Sequence, residues 1–155
     1  MAQLHWVLKH FNELTPHELY YIMQLRNEVF VLEQNCIYQD ADNKDLKAHH
    51  FMGFDDQGQL MAYTRLLPQG VSYKEMSIGR VVTHADVRKL GAGKELMKRS
   101  IKNCYKLFGK EDIRIGAQLY LLQFYNSLGF EQSGEVYLED GIEHIEMILK
   151  YRMIE

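Results

Sequence analysis

Cysteine is scarce in this chain: Cys36 and Cys104 are the only two in 155 residues. A chain of this length that is 46% hydrophobic can bury a core without covalent staples, so reduced thiols are expected rather than a disulfide framework, which favours the cytosol. Excess positive charge is also missing. The formal net charge is −3, which provides no basic sheath for nucleic acid. No stretch approaches the ~20 apolar residues that span a bilayer, and the opening "MAQLHWVLKHF" lacks the charged start and apolar run of a leader, so no membrane attachment is expected. With two prolines, no repeat and no low-complexity tract, nothing divides the sequence. One domain over residues 1–155 follows.

What is present reads as alternating elements. "LHWVLKHF" alternates weakly, as a strand does. In "TPHELYYIMQLRNEVFVLEQ", Thr15 is an N-cap, Pro16 takes the first helical position and Glu18 completes a capping box. Leu19, Ile22, Val29 and Phe30 then recur on one face with Arg26 among them. An arginine on a core stripe requires a partner. The Asn- and Asp-rich "NCIYQDADNKDLKAHH" has loop composition. "HHFMGF", the turn "DDQG" and "QLMAYTRLL" form a hairpin, which "EMSIGRVVTH" extends into an antiparallel meander. From Lys94 the period changes, with Met97, Ile101, Cys104 and Phe108 at helical intervals. A strand "DIRIGA", a helix "QLYLLQFYNSLG" and two last strands around "EDG" complete the order βα, β-meander, αβα, ββ, an α/β (α+β) class.

The stretch "VRKLGAG" stands between the third meander strand and the helix from Lys94. The first amides of a helix lack intrahelical partners and carry the positive end of its dipole, which suits an anion. Gly91 and Gly93 leave the backbone bare for a diphosphate, with Arg88 and Lys89 beside it, or they turn a tight corner. No Ser or Thr follows Lys94, as a magnesium-nucleotide loop needs, and the third glycine of the dinucleotide fingerprint is missing.

The surrounding pattern resembles the GNAT superfamily of acyl-CoA-dependent N-acetyltransferases. Its signature after the fourth strand, Gln or Arg, then x-x-Gly-x, then Gly or Ala, is matched by Arg88, Gly91 and Gly93, and its later Tyr-x-x-x-Gly-Phe by Tyr125, Gly129 and Phe130. "LRNEVFVLEQNCIYQDAD" and "VYLEDGIEHIEM" look like the ElaA branch. The resemblance implies the GNAT fold, a mixed, mostly antiparallel twisted sheet of six to seven strands with about four helices, splayed between strands four and five. It further implies acetyl-CoA as co-substrate. The diphosphate would lie on Arg88, Lys89, Leu90, Gly91, Ala92, Gly93 and Lys94, and the pantetheine amides would bond to the strand edge at Val81, Val82 and Thr83.

Direct transfer of an acetyl group to a primary amine of a small molecule or protein needs a proton for the departing thiolate. Tyr125 matches the family's general acid, against the alternative of a core aromatic. The base is open. Many relatives place a glutamate on the fourth strand, where this chain has Ser77, Gly79 and Arg80, with Glu75 only near its beginning. Glu33 is either the partner of Arg26 or a base acting through water. His144 belongs to the residue type that titrates near neutrality, or is a strand-surface histidine. Arg26, Glu33, Gln34, Asp40 and Asp42 are the candidate acceptor contacts, a carboxylate cluster suited to a cationic amine or simply a solvated loop. Cys36 reads as a passive thiol. His49 and His50, adjacent on a strand, point to opposite faces, so no metal is expected. Aromatic and leucine side chains on the last strands serve a core or a homodimer seam. Two alternatives to acetyl-CoA-dependent transfer are a carrier-protein donor, as in homoserine-lactone synthases, and a non-catalytic acyl-CoA sensor.

Overall fold

The computed structural model describes residues 3–152. The Thr15 hydroxyl accepts the Glu18 N–H at 3.1 Å, and the Glu18 carboxylate accepts the Thr15 N–H at 2.8 Å. This reciprocal pair opens α1, Pro16–Arg26. The helix then widens. Asn27–Glu33 form a π-helical segment in which Gln34 N–H bonds to Val29 O and Cys36 N–H to Val31 O. A single α-helix was expected over this whole stretch.

The meander comprises β1 His5–His10, β2 His49–Phe54, β3 Leu60–Leu67 and β4 Ser77–Thr83, paired antiparallel in that order. The β2–β3 turn is held by Asp55, whose carboxylate accepts the N–H groups of Gln57 and Gln59. After β4 come a 3₁₀ turn, Ala85–Leu90, and α2, Ala92–Phe108. They are followed by β5 Ile113–Gln118, α3 Leu122–Ser127, β6 Glu131–Gln132, β7 Tyr137–Glu139 and β8 Ile142–Leu149. β8 pairs with β5 on one edge and with both β6 and β7 on the other. Three final segments therefore replace the expected two. β6 and β7 act as one interrupted strand, and Ser133 N–H still reaches Glu146 O in the gap.

α2 lays Leu96, Met97 and Cys104 against Phe51, Ala62, Leu66, Ile78 and Ile115 on one face of the sheet. α1 lays Ile22 and Leu25, and the π-helical segment Val29, against Met52, Leu60, Tyr63 and Val82 on the other. β3, covered on both faces, is buried along its whole length. Burial pushes the Cys104 thiol up to about 12. Among the described residues no helix is long and apolar enough to cross a membrane.

The two sheets meet at one parallel bridge, Met76 to Ile113, where Arg114 N–H donates to Met76 O at 3.0 Å. Beyond it no described strand pairs the facing edges of β4 and β5. A slot opens there, between strands four and five.

Candidate active site

β4 carries a bulge beside the slot. Its register to β3 shifts between Tyr63–Val82 and Arg65–Gly79, and Arg80 takes a left-handed φ of 48°. A side chain in that conformation is strained unless something fixes it. The Arg80 Nε donates to Asp40 Oδ1 at 2.8 Å, and its guanidinium lies over the Tyr38 ring.

Asp40 belongs to a closed ring of alternating charge. Arg26 bonds Asp40 at 2.8 Å and Asp45 at 2.6 Å; Arg65 bonds Asp42 at 2.7 Å and Asp45 at 3.1 Å; Arg80 bonds Asp40 at 2.8 Å and Asp42 at 3.4 Å. Each arginine holds two aspartates, and each aspartate two arginines. Burial acts to raise Asp45, but the hydrogen bond and charge of Arg26, aided by Arg65, outweigh it and hold the carboxyl below its usual range. Asp42 is likewise lowered against burial, by Arg65 and then Arg80. His50 sits under the ring, its Nε2–H donating to Asp45 O at 3.0 Å and its Nδ1 accepting the Tyr63 O–H at 2.7 Å. Burial lowers its pKa and keeps it neutral.

Two expectations are corrected by this ring. Arg26 is wholly buried and its partners are Asp40 and Asp45, so it touches no acceptor and does not pair with Glu33. The carboxylates of Asp40 and Asp42 are taken up by arginines, so they form neither a free site for an amine nor a solvated loop.

At the open end of the slot, Gly91 is at once the last cap of the 3₁₀ turn and the N-cap of α2, with φ 78°. It offers no side-chain acceptor. The first intrahelical bond is Glu95 N–H to Gly91 O at 3.2 Å, so the amides of Ala92, Gly93 and Lys94 precede the ladder. A Cβ on Gly91 would meet nothing within 4 Å. Glycine is required there by the left-handed backbone, and the space before α2 is open. A Cβ on Gly93 would touch only Phe124, at 3.8 Å, an ordinary contact. The Arg88 guanidinium turns back toward the strand: Nε donates to Thr83 O at 3.1 Å and Nη2 meets Glu33 Oε1 at 2.8 Å. Lys89 and Leu90 are exposed. Of the strand residues, Val82 is buried on the α1 face, whereas Val81 packs toward α2.

On the β5 side, Gln34 and Gln118 exchange side-chain amide bonds at 3.1 and 3.2 Å. The Cys36 thiol donates to Asp140 O, tying the same loop to the β7–β8 turn. Gln118 stands opposite His144 in the ladder. His144 Nδ1 contacts Ile142 O at 2.7 Å, a bond only Nδ1–H can make; Nε2, the position of the lone pair in the neutral ring, is 3.6 Å from Glu139. The His144 ring stacks on Tyr137. Tyr125 is 4% exposed and packs edge-on against Phe124 and Phe130. Burial raises its phenol above the usual range, so it stays protonated. Among the described residues the only sealed and unpaired side-chain nitrogen or oxygen is Arg65 Nε. The Tyr125 hydroxyl bonds to none of the described residues.

Asp45, Arg65, Gln118 and Tyr137 were not among the sequence candidates. Arg65 and Gln118 sit on strands, where a polar residue among buried neighbours was the available signal. Asp45 lies in a loop already dense in aspartate.

The geometry has counterparts in known proteins. Residues 14–151 match the family model of the acetyltransferase (GNAT) domain. The chain belongs to the GNAT acetyltransferase family. A UPF0039 protein of Schizosaccharomyces pombe is 41% identical, over 97% of this chain and 99% of its own length. An acyl-CoA N-acyltransferase of Pseudomonas aeruginosa superposes with a TM-score of 0.89 at 43% identity, covering 94% of this chain and 99% of that one. Escherichia coli ElaA superposes with a TM-score of 0.89 at 37% identity, covering 96% and 100%. The resemblance to GNAT enzymes of the ElaA type therefore holds, and with it the splayed fold. The protein is an enzyme of the N-acetyltransferase class, in a family that uses acyl-CoA.

Proposed function

We propose that the enzyme moves an acetyl group from acetyl-CoA to a primary amine by direct attack in a ternary complex. The observation that carries this reading is the slot between β4 and β5, with the uncapped N-terminus of α2 at its open end. The Ala92, Gly93 and Lys94 amides and the helix dipole suit a diphosphate. The unpaired edge of β4 at Val81, Val82 and Thr83 suits the two amides of a pantetheine arm.

The His144 Nε2 lone pair takes a proton from the attacking amine as the C–N bond forms. The Tyr125 hydroxyl protonates the departing thiolate as the C–S bond breaks. The Nδ1–H of His144 fixed on Ile142 O supports the first role, and the match of Tyr125 to the family tyrosine supports the second.

Calorimetry with acetyl-CoA and a thiol-release assay over a panel of primary amines test the reading together. Binding with turnover of at least one amine is expected. Binding with no turnover on any amine would make the chain a sensor, and absence of binding would overturn the proposal.

A further inference from the structure

Residues 33 and 34, at the end of the π-helical segment, bridge the open end of the slot from both sides. Toward β4, Glu33 Oε1 meets Arg88 Nη2 at 2.8 Å, and the same guanidinium donates through Nε to Thr83 O at 3.1 Å. Toward β5, Gln34 and Gln118 exchange amide hydrogen bonds. The two halves differ in strength. The glutamine clasp is half-buried and reciprocal. The Glu33–Arg88 pair has side chains 37% and 39% exposed, and such a pair is held weakly.

Arg88 lies in the loop that leads to the bare amides of α2. A diphosphate seated on those amides carries more negative charge than one carboxylate and offers the fork of Arg88 several oxygens. Glu33 also differs from the carboxylates that follow it. Asp40, Asp42 and Asp45 are each held by two arginines, whereas among the described residues Arg88 is the one cation paired with Glu33.

Building on the acetyl-CoA reading above, we propose that donor binding draws Arg88 from Glu33 to the diphosphate, and that the freed carboxylate then holds the acceptor as its ammonium cation. The acceptor site is completed only when the donor is in place. Release of the donor product lets Arg88 return to Glu33 and closes the site.

The test is a calorimetric series on the wild-type protein and Glu33→Gln, with CoA alone and then with phenethylamine, spermidine and a lysine-containing peptide as acceptor probes. Glu33→Gln is expected to bind CoA about two- to fivefold more tightly, the range that loss of one competing exposed pair allows. At least one probe is expected to bind the wild-type CoA complex at least about fivefold more tightly than it binds either free protein or the Glu33→Gln CoA complex. A residue with a merely structural role would weaken both ligands together. CoA affinity unchanged or weakened in Glu33→Gln overturns the switch. No probe bound to the wild-type complex, or equal binding with and without CoA, overturns the acceptor half. Failure of the wild-type protein to bind CoA at all is a different result, because it removes the transferase reading on which this one rests.

Discussion

The aspartate–arginine ring and the start of α2 lie on either side of β4 and treat charge in opposite ways. In the ring, three guanidiniums and three carboxylates close on one another with Arg26 wholly buried. At α2, several amides and the end of a helix dipole have no acceptor from the cap. Charge that is answered inside the protein is structural: it fixes the loop of residues 40–45 and anchors the left-handed Arg80 of the β4 bulge. Charge left unanswered at an open surface is available to a ligand. The contrast separates residues of similar type, since Asp42 and Glu33 share one acidic stretch and do different work.

The comparison breaks most visibly if the ring is opened. Asp45→Ala leaves Arg26 and Arg65 buried with one partner fewer and should cost about 3–5 kcal/mol of stability, measured by urea unfolding. A loss below about 1 kcal/mol would mean that water reaches the ring. The second test addresses the other region. Gly93→Asp places a carboxylate at the second position of α2, where it suits the helix dipole and its Cβ meets only Phe124, at an ordinary 3.8 Å. The fold should survive while CoA affinity falls by about 100-fold or more, roughly 2.7 kcal/mol by calorimetry. A variant that binds CoA normally would remove the anion site from α2.

Tyr125→Phe sharpens the same line between packing and chemistry. It should lower kcat by about tenfold or more, with KM for acetyl-CoA little changed. A rate within about twofold of the parent would make the ring a packing element only. The smallest effect concerns pH. His50, Asp42 and Asp45 all have folded pKa values below their ordinary ones. A group depressed in this way contributes stability above its unfolded pKa and loses it as pH falls, so stability should decline below about pH 6.5 through His50 and again below about pH 4 through the aspartates. Urea midpoints from pH 8 to 3 would show two steps. A His50→Gln variant should shrink the first, leaving the part due to His49, whose pKa burial also lowers.

Much of the fold was legible because its signals are local. Thr15, Pro16 and Glu18 announce a helix within four residues, and "DDQG" announces a hairpin. The glycine pair was legible as a loop before a helix, although the left-handed φ of Gly91 is a conformational demand that no spacing reveals. For that reason Gly93 is the cleaner position for a charge, since any side chain at Gly91 is strained before a ligand is considered. The ring was not legible. Arg26 visibly needed a partner, but pairing it with Asp45 across nineteen positions and with Asp40 depends on how the loop folds back over β3 and β4. The π-helical turn has the composition of an ordinary helix, and it sets where Glu33 and Gln34 point. The Gln34–Gln118 clasp joins residues 84 positions apart, and only the packed sheet brings them together.

The claim underlying the whole account is that the bare amides opening α2 grip the diphosphate of CoA. A crystal structure of the CoA complex tests it most directly. Diphosphate oxygens about 2.7–3.2 Å from the amide nitrogens of Ala92, Gly93 and Lys94, with the pantetheine arm along β4, are the predicted result. CoA seated elsewhere, with those amides facing water or protein atoms, would contradict it.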